Sequence, residues 1–546
     1  MKVFFQCLLC AGAFLTLTSS TASCAEVKLS HELVENHASG NVDVIVQYKS
    51  APTAEHHARV ANLGGTLKGE LGLIKAAHYS MPAHSIQTLS EDPDVAYISP
   101  DRTVGGLLNY TVAAVFADSV HQWGYWGTSN ASVALIDSGV DSSRPDLQGS
   151  VVFSQDFTGS NSTADGYGHG THVAGILTSS GQMSNGLYAG VAPASTILNL
   201  RVLNSAGLGT DSLVIAAINR AIQLKSAYNV RVINLSLGRP VYESASKDPL
   251  CQAVEAAWKA GIVVVVAAGN DGRNNTAGTN GYATIEAPGN DPYVITVGAM
   301  KTEFTDTRSD DLIASYSSKG PTLFDHYAKP DIVAPGNRVA SVMAQNCYLE
   351  NAYPANVVNS NYMRLSGTSM AAPVVSAAAV LMLQMNSNLT PDQIKARLMK
   401  TATKSFPASS TVVDAGVTYT SYYDVFTVGA GYIDLTAALS NGDYSSGYAL
   451  SPSVSFNSSS RQVTLNADVS SVAGANVVWG SNVVWGSNVV WGSSLISSAN
   501  VVWGSNVVWG SATVAGFNVV WGSNVVWGST STTAAESTPL LINGEQ

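Results

Sequence analysis

Residues 365 to 373 read Leu365-Ser366-Gly367-Thr368-Ser369-Met370-Ala371-Ala372-Pro373 and run straight into the apolar stretch Val374 to Met385. The short residues before Ser369 let the backbone turn sharply, and the Ala/Val/Leu/Met run after it has the make-up of a buried helix. Ser369 is thereby expected at a helix N-terminus with its hydroxyl presented outward. Unpaired backbone N–H groups and the positive end of the helix dipole stabilise negative charge there, which suits a nucleophile. An ordinary N-cap serine has the same local signature, so this stretch alone does not separate the two.

Working outward, residues 110 to 440 alternate apolar runs with helical patterns. Strands are expected at Ser132 to Ile136, Thr196 to Val202, Arg231 to Leu237, Ile262 to Ala267 and Tyr293 to Val297. Helices are expected at His169 to Thr178, Ser212 to Ser226 and Cys251 to Ala260. Nearly continuous Val, Ile, Leu and Ala runs are what a parallel sheet covered on both faces requires. The fold class is therefore α/β with one main parallel sheet, and its site is expected beyond the carboxyl ends of the strands.

Three further stretches end at chemically useful side chains. Val133 to Asp141 (VALIDSGVD) places Asp137 at the end of an apolar strand, where a carboxylate needs hydrogen-bond donors such as an imidazole N–H. Gly168 to Gly175 (GHGTHVAG) starts a helix at His169 between two glycines, and Val264 to Asn270 (VVVAAGN) ends a strand in an amide able to hold an oxyanion. Each has a plainer reading: Asp137 as a turn residue, His169 paired with His172 as metal ligands, Asn270 as a loop cap. Taken together with Ser369, an Asp, a His, an Asn and a Ser at segment ends in one α/β domain point to nucleophilic catalysis.

At IDSGVD (136 to 141), GHGTHVAG (168 to 175), VVAAGN (265 to 270) and GTSMAAP (367 to 373) the sequence closely resembles the subtilisin-like serine proteases, over roughly residues 110 to 440. The resemblance implies that Asp137 orients the imidazole, His169 is general base and then acid, Ser369 is the nucleophile, and Asn270 with the Ser369 N–H forms the oxyanion hole. It also implies that a protein or peptide substrate adds as a strand between Gly207-Leu208-Gly209 and Ser236-Leu237-Gly238. Glu286, before Ala287-Pro288-Gly289, then falls at the closed end of the first specificity pocket and would favour cleavage after Lys or Arg; in the opposing reading it faces solvent. No cofactor is required for the chemistry, and metal ligands are not assigned. A structural calcium is left open, because Asp146 matches a common calcium ligand of relatives while the loop Ser180 to Tyr188 keeps the partner segment poorly.

The remaining chain fits a secreted precursor. Lys2, the apolar Phe4 to Leu17 and the small residues Ser19 to Ala25 read as a signal peptide (1–25), with lipid modification of Cys24 as a lesser alternative. Residues 26–108 show strands at Asn41 to Tyr48, Ala76 to Met81 and Val95 to Ile98 and a helix at Ala54 to Leu63, in the order of a split βαβ, ferredoxin-like α+β unit. By position this unit resembles the family's inhibitory propeptide, with self-cleavage expected between Ser99 and Tyr110 ahead of the catalytic domain (109–440). After a linker or small β segment (441–475) the hexad Asn-Val-Val-Trp-Gly-Ser occurs seven times within 476–529 and holds seven of the ten Trp, followed by a polar tail (530–546). A stack of short strands and a low-complexity segment both fit. Such Trp rows suit contact with a cell surface or glycan, and the rival function is a surface adhesion protein in which the repeats do the work.

Composition sets the outer limits. A chain of 546 residues with 46% hydrophobic and 12% charged residues has ample core, and a net charge of -11 argues against nucleic acid as partner. Cys251 and Cys347 are the two cysteines outside the leader; a disulfide and two buried thiols are both open. No segment after the leader has the uninterrupted apolar length and flanks of a membrane span. A monomer, released outside the cell or held at its surface, is expected.

Overall fold

Alternating apolar residues at Asn41–Tyr48 (β1) make the centre of a four-stranded antiparallel sheet. Its other strands are Thr66–Leu71 (β2), Ala76–Pro82 (β3) and Val95–Pro100 (β4), in the order β2-β3-β1-β4. Helices α1 (Ala54–Asn62) and α2 (Ala83–Ser90) complete the split βαβ pattern; the strand β2, absent from the sequence reading's residue ranges, supplies its second strand. The computed structural model describes residues 28–30, 33, 40–101, 103–106, 113–276, 278–303, 308–414, 416–442, 446–457, 462–466, 472–473, 507–509, 519–521 and 544–545. The expected signal peptide and most of the hexad array and tail lie outside them.

The central domain carries an eight-stranded sheet. Its strands are β6 (Ser132–Asp137), β7 (Val151–Asp156), β8 (Ile197–Arg201), β10 (Val230–Leu235), β12 (Val263–Ala267), β13 (Ile295–Lys301), β14 (Leu312–Ile313) and β15 (Ile332–Pro335). The order is β14-β13-β12-β10-β6-β8-β7, with β15 also on β13. All pairings are parallel except β13 with β14. Chain order reverses around β6, so Asp137, its last residue, sits at the switch point where open α/β sheets place their sites.

Five helices dress this sheet: α3 (His169–Thr178), α4 (Asp211–Tyr228), α5 (Pro249–Lys259), α6 (Thr368–Met385) and α7 (Pro391–Thr401). Helix α6 is long and apolar enough to cross a membrane, yet 89% of it is buried against the sheet and α3. Leu71, Ile74 and Ala76 of the N-terminal four-stranded unit belong to the same apolar core as α4 and α5, so the two units meet through buried hydrocarbon.

Two expected strands shift, for local reasons. The run ending at Val297 begins at Ile295 because Tyr293 N is held by the Asp291 carboxylate at 2.9 Å in a turn. The run Arg231 to Leu237 divides at Ser236, where the chain leaves the sheet and Leu237–Gly238 (β11) pairs elsewhere. Cys251 and Cys347 are separate, buried free thiols, which removes the disulfide alternative.

Beyond Ser440 the described chain is β-type. Ser453–Asn457 and Gln462–Asn466 form a hairpin that docks through Ala328 N to Pro452 O and Val454 N to His326 O, both 2.8 Å. Within the repeats, Val507–Trp509 and Val519–Trp521 pair as parallel strands with Trp509 opposite Trp521.

Candidate active site

Helix α3 begins at His169 because Gly168 adopts φ 107°, a conformation costly for any residue with a Cβ. Its imidazole therefore faces the end of β6, and Nδ1 lies 2.7 Å from Asp137 Oδ1, with both side chains buried. Asp137 Oδ1 also accepts from Ser138 N at 2.7 Å. A carboxylate opposite Nδ1 fixes that nitrogen as the protonated one, leaving Nε2 as the basic atom.

Ser369 lies in the first turn of α6, as expected, but is buried rather than outward-facing. Its hydroxyl donates to Ser236 O at 3.2 Å, and Ser236 Oγ donates back to Ser369 O at 2.6 Å. The buried network continues as Asn234 Nδ2 donates to Ser236 Oγ (2.9 Å) and Ser376 Oγ donates to Asn234 Oδ1 (2.8 Å), tying α6 to β10. Asn270 is oriented by its carbonyl: Oδ1 accepts from Thr368 N at 2.8 Å. Its Nδ2 is buried with no partner among the described residues, an arrangement that holds a donor ready beside Ser369.

The cleft is filled by the chain itself. Residues Thr103–Gly106 (β5) run antiparallel between Leu208–Thr210 (β9) and β11, with Gly105 opposite Leu208 and Gly106 opposite Leu237. Close packing explains the glycines: a Cβ on Gly207 would fall 2.6 Å from the Tyr167 ring, and one on Gly209 2.6 Å from Val202 O. Just upstream, Asp101 caps α4 by accepting from Ser212 N at 2.7 Å and Ser212 Oγ at 2.5 Å, while Tyr97 OH donates to Glu243 at 2.9 Å.

Glu286 does not face solvent. It is 9% exposed, and a Cβ on Gly238 would lie 2.5 Å from its Oε2, one on Gly269 2.8 Å from its Cγ. The carboxyl thus stands between Gly238, the end of one cleft segment, and Gly269, the residue before Asn270, with Oε2 lacking a partner among the described residues. Burial, and secondarily the charge of Asp271, pushes it up to about 8. Behind it, Arg239 is clamped by Asp211 and Asp248 at 2.7 to 3.1 Å, fixing where Gly238 lies.

Two alternatives lose their footing. His172 Nε2 faces the carbonyls of Val339 (3.2 Å) and Met363 (3.1 Å), so it is a donor and not a metal ligand; burial lowers the ring to about 3. Asp146 Oδ1 accepts from Met183 N at 2.7 Å, and Oδ2 accepts from Ser179 Oγ at 3.0 Å and Tyr362 OH at 2.5 Å. A carboxylate surrounded by donors does not fit a calcium ion, which needs six to eight oxygens. Asp165, which sequence reasoning passed over, joins the loops after β6 and before α3: it accepts from Ser138 Oγ, Gly168 N, and Thr171 N and Oγ at 2.7 to 2.8 Å. Its place four residues before His169 in a Gly-rich stretch was the available signal. Thr368, which aims Asn270 through its backbone N–H, gave none, because main-chain donors are not legible by residue type.

A parallel α/β sheet with a buried Asp–His pair at its switch point, a serine at a neighbouring helix start and an extended peptide across the cleft is the arrangement of a serine endopeptidase. The sequence model of the Subtilase family matches residues 128–419, and the chain belongs to that family. It is 38% identical over 331 residues to serine protease AprX of Bacillus subtilis, covering 59% of this chain and 71% of that one. It is 34% identical over 369 residues to subtilisin E of the same species, covering 66% and 84%. Among solved structures, fervidolysin of Fervidobacterium pennivorans, a keratinolytic enzyme related to subtilisin, shares the fold with a TM-score of 0.57 at 20% identity, over 77% of this chain and 63% of that one.

Proposed function

We propose that the chain is a secreted precursor that processes itself and then hydrolyses peptide bonds through Asp137, His169 and Ser369. Ser369 Oγ attacks the scissile carbonyl, and His169 Nε2 takes the hydroxyl proton and delivers it to the leaving amine. Asp137 holds Nδ1–H and balances the imidazolium charge. The oxyanion is met by Asn270 Nδ2 and the Ser369 N–H; water activated by His169 then releases the acyl group. The observation that carries this reading is β5, which lies between Gly207-Leu208-Gly209 and Ser236-Leu237-Gly238 as an added strand, the way a substrate peptide would.

In this reading residues 1–25 are a signal peptide, 26–108 the inhibitory propeptide, 109–440 the catalytic domain and 441–475 a small β segment. Residues 476–529 are a Trp-rich array that contacts a cell surface or glycan, and 530–546 the tail. Self-cleavage falls within the expected stretch Ser99 to Tyr110, in the part that follows β5, and Glu286 makes Lys or Arg the preferred residue before the cut bond. Full-length wild type and Ser369→Ala, compared by intact mass and by casein hydrolysis, test the core of it. Wild type should lose the leader and digest casein while the variant does neither; equal processing of both would refute the proposal. Deletion of 476–529 should leave casein hydrolysis intact and abolish binding to cells or glycans.

A further inference from the structure

Glu545 is the one acidic side chain described downstream of the repeats, and it is buried at 2% exposure against the central domain. Its Oε1 lies 2.8 Å from Arg273 Nη2 and accepts from Ser315 N at 2.9 Å and from Ser315 Oγ. Its backbone pairs with one side chain: Glu545 N donates to Asn337 Oδ1 at 3.0 Å, and Asn337 Nδ2 donates to Glu545 O at 3.1 Å. Such two-point pairing with the main chain, combined with a charge-assisted pair for the side chain, is how a peptide segment is recognised in a fixed direction.

The residue before it is constrained as tightly. Gly544 has φ 73°, and a Cβ there would fall 2.3 Å from Ser366 Oγ and 2.4 Å from Arg338 Cγ. The slot therefore suits glycine at the first position, and its Arg273 cation matches an acidic side chain at the second. It is also held in shape by groups other than its occupant: Arg273 pairs with Asp414 at 2.6 Å, lies over the Tyr419 ring at 4.3 Å and donates Nε to Ser315 Oγ at 2.6 Å. One wall belongs to the segment that presents the nucleophile, since Gly336 O accepts from Gly367 N at 2.9 Å and Ser366 Oγ accepts from Arg338 N at 3.3 Å.

We propose that Arg273, Ser315 and Asn337 form an acidic-peptide slot on the central domain and that Gly544-Glu545 is its built-in ligand, a latch that returns the chain after the repeats to the loop preceding Ser369. The array from 476 to 529 is then held at both ends: upstream by the hairpin docked on His326 and Ala328, downstream by this slot.

Hydrogen exchange on the full chain carrying Ser369→Ala, which keeps the protein from digesting itself or added peptides, tests the proposal. Losing a hydrogen bond to a charged group should speed exchange at the Ser315 amide about 10-fold or more in Glu545→Ala, with α4 unaffected. Gly544→Ala should act in the same direction. Adding the synthetic peptide Leu-Ile-Asn-Gly-Glu-Gln to the Glu545→Ala chain should restore protection at Ser315, and the same peptide with Ala for Gly should not. Unchanged exchange at Ser315 in Glu545→Ala would overturn the latch. Faster exchange that neither peptide reverses, or that both reverse equally, would overturn selective recognition of Gly-Glu.

Discussion

Replacing Glu286 by Gln isolates one buried charge in the cleft, and its effect should depend on pH. With the carboxyl pushed up to about 8, roughly 1% is ionised at pH 6 and more than about 90% at pH 9.5. A guanidinium brought against the ionised form, between Gly238 and Gly269, makes a desolvated pair of the kind whose truncation costs about 2–5 kcal/mol. Taking the lower half of that range, ionisation favours Arg over Leu by about 30- to 300-fold, and because roughly 1% is already ionised at pH 6 the wild-type ratio of kcat/KM values should change by about 20- to 70-fold between the two pH limits. The ratio should climb by up to about tenfold per pH unit below 8 and level off above it. Ionisation of His169 affects both substrates alike and cancels in the ratio, and kcat/KM reports the free enzyme's groups. Paired peptides differing only in the residue before the cut, assayed from pH 6 to 9.5, provide the measurement. Glu286→Gln should give a pH-flat ratio near the wild-type value at pH 6. A wild-type ratio that does not move with pH, or a variant that tracks wild type, would refute the reasoning.

The same carboxyl affects stability with a definite sign. Its folded value lies above the ordinary 4.5, so the stability associated with the neutral form is full below 4.5 and drains away as pH rises to about 8. The Tm of Glu286→Gln relative to wild type should therefore rise from pH 5 to pH 9. Because residues 107 to 110, the part of the self-cleavage window that follows β5, contain no Lys or Arg, self-processing should run best with Glu286 neutral, and precursor maturation above pH 8 should be faster in Glu286→Gln than in wild type on a time course by gel. Asn270→Ala should lower kcat by about 10²–10³-fold with little change in KM, the cost of one oxyanion donor as found in a subtilisin. Arg239→Ala should cost about 3–5 kcal/mol in denaturant unfolding, because Asp211 and Asp248 would stay buried without their cation. Asp101→Ala should weaken inhibition by a separately added leader about 5- to 30-fold in Ki, since the cap it places on α4 is worth about 1–2 kcal/mol.

The sequence by itself determined the elements and the cast of the site. Apolar runs long enough for strands covered on both faces, such as Val263–Ala267, have one stable use in a soluble chain, and a glycine before His169 marks where a helix can start. Asp137, His169, Asn270 and Ser369 were therefore recognisable as segment-end residues before any contact was known. The tertiary structure decided what those residues touch. That Glu286 is buried between Gly238 and Gly269, that Asp146 is enclosed by N–H and O–H donors, and that Glu545 returns to Arg273 across a separation of 272 residues all depend on which surfaces are packed together. Local pattern carries the periodicity of an element, but the burial and partners of a polar side chain are set by elements remote in sequence, and a carboxylate's charge state follows from them.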